Sequence, residues 1–150
     1  MMNLLAIAVF PLMVAPGSGQ DVHLYGYTGN TVSTVIPHEK LAKSPPWNMQ
    51  SDTPPLPAGK AIQRANTARA KLVKDSKRFR WVLANAALEW LDPWRWRADP
   101  VMREKCWWSV RYEYRVREGG ETGVGYIYIV VLMDGTVIVP KASEIQTEPE

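Results

Sequence analysis

Between Cys106 and Arg117 apolar and polar side chains alternate: Cys106, Trp108, Val110, Tyr112, Tyr114 and Val116 fall on one face, Ser109, Arg111, Glu113, Arg115 and Arg117 on the other. A period of two marks a strand with one face against a core and one in water. Val124 to Met133 is apolar on both faces and rich in β-branched and aromatic residues, which predicts a strand in the middle of a sheet. Asp134-Gly135 supplies the left-handed backbone of a tight hairpin turn, and Thr136 to Val139 returns as a short strand that Pro140 ends. The pattern predicts an antiparallel meander.

The apolar face of the Cys106 strand needs a cover, and the chain offers one. In residues 58–74, Ala58, Ala61, Ile62, Ala65, Ala68, Leu72 and Val73 recur at three and four, with Lys60, Arg64, Lys71, Lys74 and, beyond the span, Arg78 on the other side. Small alanines let a helix lie close to a sheet, so Trp108, Val110, Tyr112 and Tyr114 are expected beneath them. The cationic row is read as a solvated helix face.

Residues 79–91 admit two readings. Phe79, Val82, Leu83, Ala86, Ala87, Trp90 and Leu91 form a helical stripe, whereas Trp81-Val82-Leu83 suits a strand beside Cys106–Val116. Upstream, residues 21–36 read as two weak strands about the turn Tyr27-Thr28-Gly29-Asn30, either a small hairpin or an ordered arm. Pro37 starts a helical turn. Pro45, Pro46, Pro54, Pro55 and Pro57 make a stiff, extended connector pinned by Trp47 and Leu56. Asp92-Pro93 and Asp99-Pro100 bracket Trp94-Arg95-Trp96-Arg97 on a surface connection.

The order of these features resembles small exported bacterial proteins of unknown function, similar to the PepSY and cystatin-like group. The resemblance rests on an apolar leader, Lys40-Leu41-Ala42-Lys43-Ser44-Pro45-Pro46-Trp47, Pro54-Pro55-Leu56 before a Lys60-Ala61 helix, Trp81-Val82-Leu83, Trp107-Trp108-Ser109-Val110 and residues 130–138. It implies an α+β fold, one main helix packed on a curled antiparallel sheet of three to four strands. For residues 81–91 it implies a strand, and that reading is adopted. Pro57, where a capping serine would stand, and the length of the 92–104 connection depart from the pattern. The motifs are structural and carry over no catalytic residue.

Composition narrows the function classes. At 150 residues with 46% hydrophobic content, the chain suffices for one core with an extended flank. The organisation expected is a signal peptide over 1–19, an arm and connector over 20–57, an α+β domain over 58–141 and an acidic tail over 142–150. The leader, Leu4 to Ala15 followed by Gly17-Ser18-Gly19, predicts a secreted or periplasmic protein with no integral membrane segment after cleavage. A net charge of +3 is too small to predict nucleic-acid binding. Seven tryptophans against two phenylalanines place some indoles at the rim of the core, where their N–H groups find partners.

The search for chemistry returns no enzyme. His23 and His38 are the only histidines and sit in the N-terminal flank, with no G-x-S-x-G motif and no histidine placed near Cys106. Cys106 faces inward and reads as an inert small hydrophobe. One cysteine and two scattered histidines predict no metal site, and the Glu118–Gly123 turn, with two carboxylates, cradles no phosphate. No cofactor is expected. Two functions remain: an exported non-catalytic module binding a peptide or protein through Trp94, Arg95, Trp96 and Arg97, or an assembly domain pairing through an exposed sheet edge, expected at Thr136–Val139.

Overall fold

The computed structural model describes residues 19–51, 53–92, 99–117 and 125–146. In chain order the elements are β1 (Val22–Tyr27), β2 (Thr31–Ile36), α1 (His38–Lys43), α2 (Ala58–Leu72), β3 (Phe79–Trp90), β4 (Cys106–Val116), β5 (Gly125–Leu132) and β6 (Val137–Ile138). Two single 3₁₀ turns lie at Pro100–Met102 and Ala142–Glu144. All strand pairings are antiparallel, in the order β2-β1-β5-β4-β3, with β6 also beside β5. The architecture is α+β with one main helix, as expected, but the sheet has six strands where three to four were expected. The surplus comes from β1 and β2. Their link to β5 is tertiary: one strand pair, Tyr27 with Tyr126, and a hydrogen bond of 2.7 Å from Thr34 Oγ1 to the Tyr128 carbonyl.

The alternation of β4 decides which face α2 covers. Val110, Tyr112 and Tyr114 are buried in one cluster with Ala61 and Ala65, and Trp108 packs against it. Tyr112 keeps its hydroxyl satisfied by donating to Asn66 Oδ1 of α2 at 2.7 Å. Trp108 donates from Nε1 to the Leu56 carbonyl at 2.8 Å, so the proline-rich connector is fastened to the sheet just before α2 begins. Pro57 precedes that helix with extended backbone and no side-chain cap, which suits a residue lacking an N–H.

The other face has its own core. Trp107, Val130, Leu132 and Ile138 cluster with Ile36, Leu41, Leu91 and Met102, and Val22 and Leu24 pack on from β1. Both faces of β5 are therefore covered along its second half, as its uniformly apolar sequence predicts. The turn after β5 has Gly135 at φ +86°, a left-handed conformation, with the Gly135 N–H donating to the Leu132 carbonyl at 2.8 Å.

β3 is a strand despite its helical stripe, for a local reason. Phe79 to Leu83 pair with Val116 to Tyr112, and Asn85 to Trp90 pair with Arg111 to Cys106, which leaves Ala84 as an extra residue in a β-bulge. The bulge reverses parity, so the side facing α2 is carried by Phe79, Trp81 and Leu83 and then by Ala86, Leu88 and Trp90. Phe79, Leu83, Ala86 and Trp90 also satisfy helical spacing.

Candidate functional site

β3 ends the sheet, so one of its edges faces away from the ladder. The Leu91 N–H donates to the Lys105 carbonyl at 3.4 Å and the Arg117 N–H to the Arg78 carbonyl at 2.8 Å, which fixes the residues whose backbone points toward β4. By alternation, Phe79, Trp81, Leu83, Ala86, Leu88 and Trp90 direct N–H and C=O outward. The first two are already used. Asp75 Oδ1 accepts from the Trp81 N–H at 3.0 Å, Ser76 Oγ accepts from the Phe79 N–H at 3.1 Å, and the Ser76 N–H donates to the Phe79 carbonyl at 2.9 Å. The outward groups of Leu83, Ala86, Leu88 and Trp90 have no hydrogen-bond partner among the described residues.

That open stretch runs into an apolar cleft of about 790 Å³. Trp47 and Trp90 stack along it with ring centres 5.6 Å apart and planes at 25°, joined by Met49, Leu91 and Met102. Trp47 is positioned through its N–H, which donates to the Glu104 carbonyl at 2.9 Å, and Glu104 adopts a left-handed φ of 59° to present that oxygen. Met102 is buried at the end of the 3₁₀ turn whose first residue is Pro100. Met49 is 72% exposed and leaves the cleft mouth apolar.

Lys105 is one of the polar residues that line the cleft, yet its ammonium is spoken for. It donates to the carbonyls of Ala42, at 2.8 Å, and of Ser44, closing the C-terminal end of α1. Cationic groups are favoured there by the helix dipole. Burial lowers its pKa from the ordinary 10.5. Next to it, burial pushes the Cys106 thiol up to about 11, the opposite of what a nucleophilic thiolate needs.

The sequence candidates Trp94, Arg95, Trp96 and Arg97 lie outside the described residues. The two ends of their connection are described. Asp92 lines the cleft. Asp99 caps the 3₁₀ turn by accepting from the Val101 N–H at 3.0 Å, and its Oδ2 lies 3.1 Å from His38 Nε2, a contact that holds its carboxyl below the usual value. Trp90, Met102 and Lys105 were not singled out from the sequence. The signal for Trp90 was present as a member of the 79–91 stripe. Met102 and Lys105 are brought to the cleft by the fold of the 99–105 segment, which carries no periodicity.

Among the described residues no cluster of three His, Cys, Asp or Glu side chains is placed to hold a metal ion, and no helix is long and apolar enough to cross a membrane. The chain matches no protein-family model, no curated protein and no solved structure.

Proposed function

We propose that this chain is an exported, non-catalytic module that binds an extended peptide or protein segment, which adds as a strand to the open part of β3. The observation that carries this reading is the run of unused backbone groups at Leu83, Ala86, Leu88 and Trp90 leading to the Trp47–Trp90 cleft. In strand addition the main-chain hydrogen bonds give affinity and a neighbouring pocket selects side chains. Here the pocket favours a large apolar side chain near the Trp90 end. Trp94, Arg95, Trp96 and Arg97 remain part of the proposed site, since Asp92 at the start of their connection lines the cleft. The kinship with the PepSY and cystatin-like group is also part of the proposal, supported at the coarse level by one helix packed on an antiparallel sheet.

Leu88→Pro tests it. Proline at Leu88 removes an outward N–H and leaves the β3–β4 ladder intact, whereas Ala87→Pro removes a ladder donor. Peptides selected by the parent chain from a random display library should lose binding to Leu88→Pro while its melting temperature stays near the parent's. Undiminished binding would rule the edge out. The same edge supports the alternative, an assembly domain pairing with another copy. Sedimentation distinguishes the two, because assembly predicts a concentration-dependent dimer that Leu88→Pro abolishes.

A further inference from the structure

At the opposite end of β3, and on the sheet face turned away from α2, Arg80 stands directly opposite Arg115 of β4. The hydrogen bond from the Arg117 N–H to the Arg78 carbonyl sets a second pair of arginines one step further along the ladder. Like charges directly opposite across an antiparallel pair destabilise it. Lys74 and Lys77 border the same end, in the segment joining α2 to β3. Against these six cations the described residues place two carboxylates. Asp75 lies 3.8 Å from Arg117 and 3.4 Å from Arg69, and Glu113 lies 3.5 Å from Arg115 and 2.9 Å from Arg111. Lys74, Lys77, Arg78 and Arg80 are exposed and form no ion pair with any described residue.

We propose that this patch binds an acidic peptide in extended conformation, with Asp or Glu at alternate positions. Two features select this occupant. Alternate residues of a strand repeat every ~6.6–6.8 Å, so carboxylates two residues apart on an extended peptide match the backbone step from the opposed pair Arg80 and Arg115 to Arg78 and Arg117 just beyond the strand ends, where Arg78 rests on the Phe79 ring and Arg117 Nε donates to the Ser76 carbonyl at 3.1 Å. Guanidinium groups also pair with carboxylates through two parallel hydrogen bonds. Single-stranded nucleic acid would need open rings for its bases to stack on. Of the rings beside it, Phe79 already carries the Arg78 guanidinium 5.7 Å from its centre, and Tyr126 carries the Arg111 guanidinium 4.2 Å from its own. The site is distinct from the cleft and does not depend on the strand-addition reading.

The probe is a fluorescein-labelled peptide of alternating Glu and Ser, titrated with the full chain and followed by anisotropy, with an alternating Lys and Ser peptide as control. The acidic peptide should bind, the control should not, and affinity should fall as salt rises. Arg80→Glu puts a carboxylate opposite Arg115, so its melting temperature should hold or rise while its affinity for the acidic peptide drops by about tenfold or more. A purely structural role for Arg80 would move stability without that loss. If the reversal unfolds the chain, Arg80→Gln combined with Arg115→Gln reads the same loss without introducing negative charge. Equal binding by these variants overturns the proposal, as does tighter binding of a single-stranded oligonucleotide than of the peptide. A third result also overturns it. Gln146 lines a recess with Lys71, Lys74, Asp75 and Ser76, so if the peptide binds only a chain ending at Gln146, the occupant is the chain's own Glu148 and Glu150.

Discussion

Val110 has no exposed surface and lies in the cluster that also contains Ala61, Ala65 and Tyr112. Val110→Asp places an unpaired charge there and should cost roughly 3–5 kcal/mol, the range of severe core lesions. A urea titration that leaves the midpoint near that of the parent would contradict the packing of α2 on β4. The same cluster governs the alkaline behaviour. Burial raises the Tyr112 pKa from 10.0 to about 12 and that of Cys106 from 9.0 to about 11. For both groups the unfolded chain releases its proton first, so stability is full below the unfolded value and falls as pH climbs through the folded one. Lys105 acts in the opposite sense, because burial disfavours its charged form and that penalty fades as pH rises toward 10.5. Unfolding free energy should therefore decline from pH 9.0 toward about 12, and Cys106→Ala should remove the earlier part of the decline. Tyr112→Phe should flatten the later part, at the expense of about 1 kcal/mol at neutral pH for the lost hydrogen bond to Asn66. Denaturant midpoints across the alkaline range check both.

At the scale of elements the bulge in β3 is the informative feature. Leu83 pairs with Tyr112 and Asn85 with Arg111, so deleting Ala84 preserves every cross-strand pair on both sides of it. The shortened strand should fold, with a straighter edge. Bulges twist an edge away from foreign strands, so the deletion should increase self-association, seen as a shift to larger species in sedimentation velocity. Loss of folding would instead mean that the extra residue supplies a twist the sheet needs. The bulge also explains what was legible in the sequence. β4, with no inserted residue, keeps a clean alternation, and α2 and the Asp134-Gly135 turn are equally local, so all three were readable. In β3 the parity changes midway, and a period-two search sees noise where a helical search sees a stripe. The cleft was out of reach for a different reason. Trp47, Trp90 and Met102 come from three separate segments, and only the tertiary fold brings them together.

For the whole molecule, the segment preceding α2 is built into the sheet and into both of its cores. Val32, Ile36 and Leu41 have 1%, 0% and 0% of their surface exposed, and Met133 donates its N–H to Ser44 Oγ at 3.1 Å. A chain beginning at Ala58 should therefore lack cooperative unfolding, with Trp107, Val130 and Leu132 exposed; a sharp thermal transition in that fragment would show the segment to be dispensable. The proposed export makes a separate prediction at this scale. Mass spectrometry of a secreted or periplasmic fraction should find a mature chain starting between Gly17 and Asp21, and a folded cytosolic form retaining Met1 would refute it. The Lys105 clasp on α1 has a chemical corollary. Of the eight lysines, Lys105 is the one whose amine is held between two main-chain carbonyls with 6% of the residue exposed. Brief acylation with an amine-reactive reagent should modify exposed lysines such as Lys40 and Lys60 and spare this one. The rate at which Lys105 becomes labelled then clocks the detachment of α1 from the cleft wall, a motion that leaves the exposed lysines unmarked by any change.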